Sequence, residues 1–194
     1  MMESDVHSSR EGRKQMSRYV AFLRAINVGG HTVKMDALRG LFESWGATRV
    51  ETFIASGNVV FETARRNAVA IERALEAHMR KELGYEVGTF LRTLPELATV
   101  ADHAPFPQAE YDAGGTLFVA FMKEAAAAPS GRAVASLRTD VDDFAINGRE
   151  VYWLRRRQLM ESLAVGPPLE RIVGSPMTVR NVNTVRRLAA KYCR

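Results

Sequence analysis

Two stretches of this 194-residue chain carry residue types that could hold an anion. The first is Asn27-Val28-Gly29-Gly30-His31, followed at a short distance by Lys34, and it separates an apolar run from a helix-like segment. A strand that breaks into glycines at a helix start presents backbone N–H groups to a negative ligand. The second is Arg180-Asn181-Val182-Asn183-Thr184, where an arginine leads into a helix and can bind phosphate or carboxylate through charge-assisted bonds. Helix capping alone would account for one of its asparagines, a contribution of about 1 kcal/mol. Between them lies Ser56-Gly57-Asn58, a tight turn by composition.

Strand order brings two of these stretches together. Residues 18–93 read as β-α-β-β-α-β: a strand at Tyr19–Ile26, a helix from Lys34 to Trp45, and strands at Arg49–Ile54 and Asn58–Glu62. A helix capped by Asn67 and a strand at Tyr85–Leu91 complete the unit. In that topology the turn after the first strand and the hairpin between the second and third lie at one end of the sheet. The expected ligand-binding set is therefore Asn27, Gly29, Gly30, His31, Lys34, Ser56, Gly57 and Asn58, with Arg180, Asn181 and Asn183 closing the pocket. His31 is the one titrating group near it and could act as acid or base there.

The rest of the chain reads as a connector at 94–115 and a second α+β half at 116–194. The connector holds a short helix at Leu94–Val100 and a loop around Ala104–Gln108. The second half holds a strand at Thr116–Met122, a short helix to about Leu137, a Val141–Leu154 hairpin turning at Asn147-Gly148, and a helix over Arg157–Leu163. A last helix from Asn181–Asn183 would pack back onto the sheet. This β-α-β-β-α order repeats the first half and points to a structural duplication. Residues 1–17 read as a polar, disordered extension without the apolar core of a secretory signal.

The motifs YVAFLRAINVGG, VKM at Val33–Met35, ASGNVVFE at Ala55–Glu62 and TVRNVNTV at Thr178–Val185 together resemble a bacterial family, the domain of unknown function 1697. The resemblance spans roughly residues 18–190. It implies an α+β fold of two ferredoxin-like (βαββαβ-type) halves with no established activity. The family usually carries tryptophan between the two asparagines of the last motif, where this chain has Val182.

Several function classes are excluded or weakened. No apolar run approaches the ~20 residues that span a bilayer, so no membrane partner is expected and the expected location is the cytoplasm. Cys193 is the single cysteine, and no histidine or carboxylate pair has metal-ligand spacing, so no metal or cofactor is expected. The G-x-x-x-x-G-K-[ST] and G-x-S-x-G patterns are absent. Asp140, Asp142 and Asp143 read as a solvated acidic patch. A formal charge of +5 admits nucleic acid, with Phe22 and Phe61 on neighbouring strands as stacking candidates, but the aromatic RNA-binding signature is missing. A small anionic, phosphorylated or nucleotide-like ligand is the leading expectation. A sequence-tolerant RNA or DNA binder and a protein-interaction module, including a homodimer, are the alternatives.

Overall fold

The computed structural model describes residues 15–54, 57–156 and 167–193, so Ser56, the extension up to residue 14 and the helix expected at Arg157–Leu163 lie outside the described residues. The first half runs β1 (Ser17–Arg24), α1 (Met35–Ser44), β2 (Thr48–Thr52), β3 (Asn58–Thr63), α2 (Ala68–Leu83) and β4 (Gly88–Thr93). Its strands form one antiparallel sheet in the order β2-β3-β1-β4. After α3 (Leu94–Asp102) and α4 (Gln108–Asp112), the second half runs β5 (Thr116–Met122), α5 (Ala128–Ala135), β6 (Asp142–Asn147), β7 (Glu150–Arg155), α6 (Pro167–Val173) and β8 (Met177–Asn181), ordered β6-β7-β5-β8. The closing helix is α7 (Val182–Tyr192). Both halves have the ferredoxin-like strand order, and the fold is α+β.

β1 is apolar on both faces because both are covered. Tyr19, Ala21 and Leu23 pack with Leu38, Phe42, Ile71, Leu75 and Met79 under α1 and α2. Val20 and Phe22 face the other way, into a core shared with Phe121 and Tyr152 of the second sheet and with α3 and α7. A third core lies between the second sheet and α5 and α6. The two sheets therefore meet face to face in the middle of the molecule, each backed by its own helices. Helix α7 joins that central layer through Val182, Val185, Leu188 and Tyr192 at helical spacing, as expected from its pattern.

Several elements differ from their sequence-based expectation. Ile26 lies with Leu23 rather than with Phe22, because Ala25 at φ 64° turns the chain over after β1. β4 starts at Gly88, three residues late, because Tyr85 turns back to stack on His31 and to donate its hydroxyl to the Ile26 carbonyl (2.8 Å). β8 was not apparent from pattern: Thr178 and Arg180 are polar yet buried, which erases the apolar alternation. The second hairpin turns at Gly148-Arg149, since Asn147 pairs with Glu150. Only the first of its two central residues has positive φ, the type II′ arrangement rather than type I′. Asp142 and Asp143 are buried, not solvated: Asp142 accepts the Trp153 indole N–H (2.6 Å), and Asp143 holds Arg156 (2.8 Å).

Two tests follow from this packing. Phe22 and Phe121 stack at 4.0 Å where the two sheets meet. Phe121→Ala should cost about 3–5 kcal/mol and weaken both halves in one cooperative transition. Chemical denaturation followed by two probes, Trp45 and Trp153 fluorescence, checks this; separated transitions would contradict it. Glu72 is 3% exposed and accepts the Leu91 N–H (2.8 Å), and burial raises its carboxyl above the usual value of 4.5 despite that bond. A raised folded value favours the fold below pH 4.5 and is lost as pH rises through it. Glu72→Gln, which keeps an acceptor, should therefore gain stability over wild type as pH rises from 4 to 7, read as a growing difference in midpoint.

Candidate functional site

The sheets are joined by two buried arginines placed reciprocally. Arg92, near the end of β4, reaches into the second half, where Nε donates to Glu150 Oε1 (2.6 Å) and Nη2 donates to the Met122 (2.9 Å) and Arg149 (3.0 Å) carbonyls. Arg180, near the end of β8, reaches into the first half, where Nε donates to Asn58 Oδ1 (2.6 Å) and Nη2 donates to the Leu23 (2.7 Å) and Gly57 (3.4 Å) carbonyls. These acceptors correspond: Leu23 N–H donates to Gly57 O (2.8 Å) in one half as Met122 N–H donates to Arg149 O (2.9 Å) in the other. Each arginine lies near the phenylalanine across the seam, Arg92 over Phe121 at 5.2 Å and Arg180 over Phe22 at 5.8 Å.

The same exchange recurs one layer out. Arg24 at the end of β1 pairs with Glu170 of α6 (2.7 Å), and Lys123 after β5 pairs with Glu76 of α2 (2.6 Å). Each of those carboxylates also accepts a backbone N–H at the start of the neighbouring strand, from Met177 (3.3 Å) and Thr89 (2.8 Å). After each buried arginine comes a helix cap: Thr93 for α3 and Asn181 for α7. Contacts that exchange this way are the signature of an isologous interface, here within one chain. The duplication is thus written in bonding partners rather than in residue identities.

Against this frame the candidate residues separate into three groups. Arg180 and Asn58 are 8% and 0% exposed, and Asn58 Nδ2 also donates to the Phe53 carbonyl (2.9 Å). With further bonds from Nη1 to Thr178 Oγ1 (2.9 Å) and the Val179 carbonyl (2.8 Å), Arg180 directs all five of its N–H groups at protein acceptors. Burial lowers its guanidinium to about 10, so it stays charged at neutral pH. Arg180 can therefore act on a ligand through its charge, not by donating to it. Gly57 belongs to the same seam. At φ 74° a Cβ there would stand 2.9 Å from Ile26 Cγ2, so only glycine lets the hairpin close on β1.

The second group is the loop after β1. Asn27 Oδ1 accepts the Val33 N–H (2.7 Å), and His31 N–H donates to the Val28 carbonyl (3.1 Å), which folds the loop onto itself. His31 stacks on Tyr85 at 4.1 Å. Gly29 and Gly30 have φ of 63° and 84°, and Lys34 is exposed at the start of α1, whose first turn has no side-chain cap. Convergence with the β2–β3 hairpin, expected from topology, is seen where Leu23 bonds Gly57. A cavity of about 260 Å³ opens here, lined by Leu23 through Val28 with Thr178 and Arg180. Ala25 and Ile54, non-glycine residues at φ 64° and 58°, lie at this end of the sheet, and such strain costs about 1–3 kcal/mol each.

Asn181 and Asn183 form the third group, and they do not join that cavity. Asn181 Oδ1 accepts the Asn183 N–H (2.8 Å) as the cap of α7, at the far end of β8 from Met177. Both line a different cavity with α4. Sequence reasoning missed the members that α4 contributes, Gln108 and Tyr111, because α4 is only five residues long and gives no periodicity. Phe22 and Phe61 are fully buried and present no base-stacking platform. Burial raises the Cys193 thiol, which donates to the Leu94 carbonyl (3.2 Å) and so is held protonated. Among the described residues no group of histidine, cysteine and carboxylate could hold a metal ion, and no helix is long and apolar enough to cross a membrane.

This geometry defines a class: an α+β protein made of two ferredoxin-like halves clamped face to face by exchanged arginines. The chain belongs to the family described as protein of unknown function (DUF1697), whose model matches residues 16–152. Its fold is similar to that of the conserved bacterial protein SP0830 from Streptococcus pneumoniae, with a TM-score of 0.69 at 22% identity, covering 91% of this chain and 98% of that one. No curated protein matches.

The two clamps differ in one respect that can be measured. Arg92 holds a carboxylate and Arg180 an amide. Glu150→Ala strands a buried guanidinium and should cost about 3–5 kcal/mol. Asn58→Ala removes a neutral partner and should cost about 1–3 kcal/mol. Urea midpoints of the two variants check the order; equal losses would contradict it.

Proposed function

We propose that this protein binds a small anionic ligand, phosphorylated or nucleotide-like, at the end of the first sheet where β1 breaks, and that it does so in the cytoplasm. The observation that carries this reading is the cavity between the broken end of β1 and the buried Arg180 guanidinium. A fixed positive charge with low exposure acts at short range without water to screen it. Arg24 also lines the cavity, with its charge shared with Glu170 (2.7 Å). Hydrogen bonds to the anion would come from the backbone N–H groups of Val28 to Gly30 and from Lys34, the N-cap residue of α1, where a cation is otherwise unfavourable.

The size and rim of the site narrow the ligand. About 260 Å³ admits one phosphate or carboxylate head, not a whole nucleotide. Val28, Met35 and Ile54, 55%, 37% and 39% exposed, stand at this same end of the sheet and would cover an organic portion left outside. Exposed apolar side chains around a charged cavity suit a phosphorylated organic molecule better than inorganic phosphate. The buried faces of β1 and β3 weigh against nucleic acid as the ligand.

Thermal unfolding against inorganic phosphate, a sugar phosphate and a nucleoside monophosphate tests the reading. The organic phosphates should raise the midpoint more than phosphate itself. Lys34→Ala should weaken binding about tenfold or more, the scale of one hydrogen bond to a charged group, and leave the ligand-free midpoint unchanged. No shift from any of the three, or equal shifts in the variant, would overturn it.

A further inference from the structure

We infer that the ligand at the β1 break is a purine nucleoside monophosphate whose base stacks on the His31 imidazole, which rests on the anion-binding reading of that site. The loop after β1 holds this ring in a fixed place. Gly29 and Gly30, at φ 63° and 84°, are the central residues of a turn that the His31 N–H closes onto the Val28 carbonyl (3.1 Å). Positive φ at both central positions is the type I′ arrangement, which reverses the chain within two residues. His31 thereby comes back over Tyr85, and the two rings stack at 4.1 Å with 19° between their planes. Tyr85 is itself fixed, packed against the first core and donating its hydroxyl to the Ile26 carbonyl (2.8 Å).

Only one face of the imidazole is covered. Tyr85 lies on it, His31 as a residue is exposed, and no other ring among the described residues packs against it. The second face is open to solvent, and it stands at the rim of the cavity. Val28 and Ile26, the residues bonded to His31 and to Tyr85, both line that cavity. A two-ring stack with its outer face open accepts a third planar ring. Because the stack is already formed without ligand, little side-chain freedom is lost when that ring arrives.

The division of the site into a small cavity and a flat rim sets the ligand class. The cavity of about 260 Å³ takes the phosphate, so whatever the phosphate is attached to must lie against the rim. That rim offers the open imidazole face and the exposed side chains of Val28 and Met35. A sugar alone would set its hydroxyls against these groups and leave the ring face uncovered. A base covers it, and every base has a π-face to stack, so no particular hydrogen-bond pattern on the base is required. The two fused rings of a purine cover more of the imidazole than the single ring of a pyrimidine.

Calorimetric titration of the full chain with AMP, UMP and ribose 5-phosphate tests this, with His31→Ala, His31→Phe and Lys34→Ala alongside. In the wild type AMP should bind about tenfold tighter than ribose 5-phosphate, with UMP between them. His31→Ala should bring the ratio of AMP to ribose 5-phosphate affinity down to about one, and His31→Phe, which keeps a ring on Tyr85, should restore it to about ten. Lys34→Ala should weaken both compounds and leave their ratio unchanged. If AMP and ribose 5-phosphate bind the wild type equally, or His31→Ala leaves their ratio as it was, the base is not on His31 and the inference fails while the anion site stands. If His31→Phe does not restore the ratio, the ring acts through its nitrogens rather than its face, and stacking is overturned. If none of the three compounds binds, the anion site fails and the base with it.

Discussion

Two buried guanidinium groups, each anchored in one sheet and bonded into the other, set the relation between the halves of this protein. Arg92 and Arg180 are 1% and 8% exposed, a state in which an arginine is tolerated only if its donors are satisfied. They are satisfied mainly by backbone carbonyls at the ends of β1 and β5 and in the adjacent hairpins. Those carbonyls are in place only when the opposing half is folded and docked. Apolar packing around the Phe22–Phe121 stack supplies the driving force, but it is non-directional. The arginines supply the register.

That register also places the cavity walls. Thr178 and Arg180 form a wall of the cavity at the β1 break, and the next two residues, Asn181 and Val182, bound the cavity under α4. The clamp also explains why the end of β1 can carry strain. Ala25 and Ile54 hold positive φ next to a hairpin that Leu23 and Arg180 tie down through Gly57. Strained backbone persists where its surroundings over-determine it. The two halves are not equivalent in this respect: Glu150 answers Arg92 where Asn58 answers Arg180, and among the described residues α4 has no counterpart in the first half.

Much of this was legible from the chain alone. The first half, its strand order, the convergence of the β1 turn with the β2–β3 hairpin and the repeat of the pattern in the second half all follow from periodicity and turn chemistry. What stayed hidden has a common cause. β8 was hidden because a buried arginine and threonine interrupt its alternation, and Arg180 read as a ligand contact because sequence does not reveal which acceptors a side chain will find. Asp142 and Asp143 read as solvated for the same reason, since Trp153 and Arg156 reach them only in the fold. Asn181 and Asn183 were grouped with Lys34 by type, whereas a strand's length separates them from the β1 end.

The most direct test of the clamp is the exchange rate of the arginine Nε–H protons, read from side-chain 1H–15N spectra. Arg92 and Arg180 donate these protons to partners in the opposite half at 2.6 Å each. They should give two resolved resonances that exchange as slowly as the core amides of β1 and β5, while an exposed arginine such as Arg187 exchanges with solvent. If both exchange as fast as Arg187 on the exposed face of α7, the halves are not joined by these residues and the account of the fold fails.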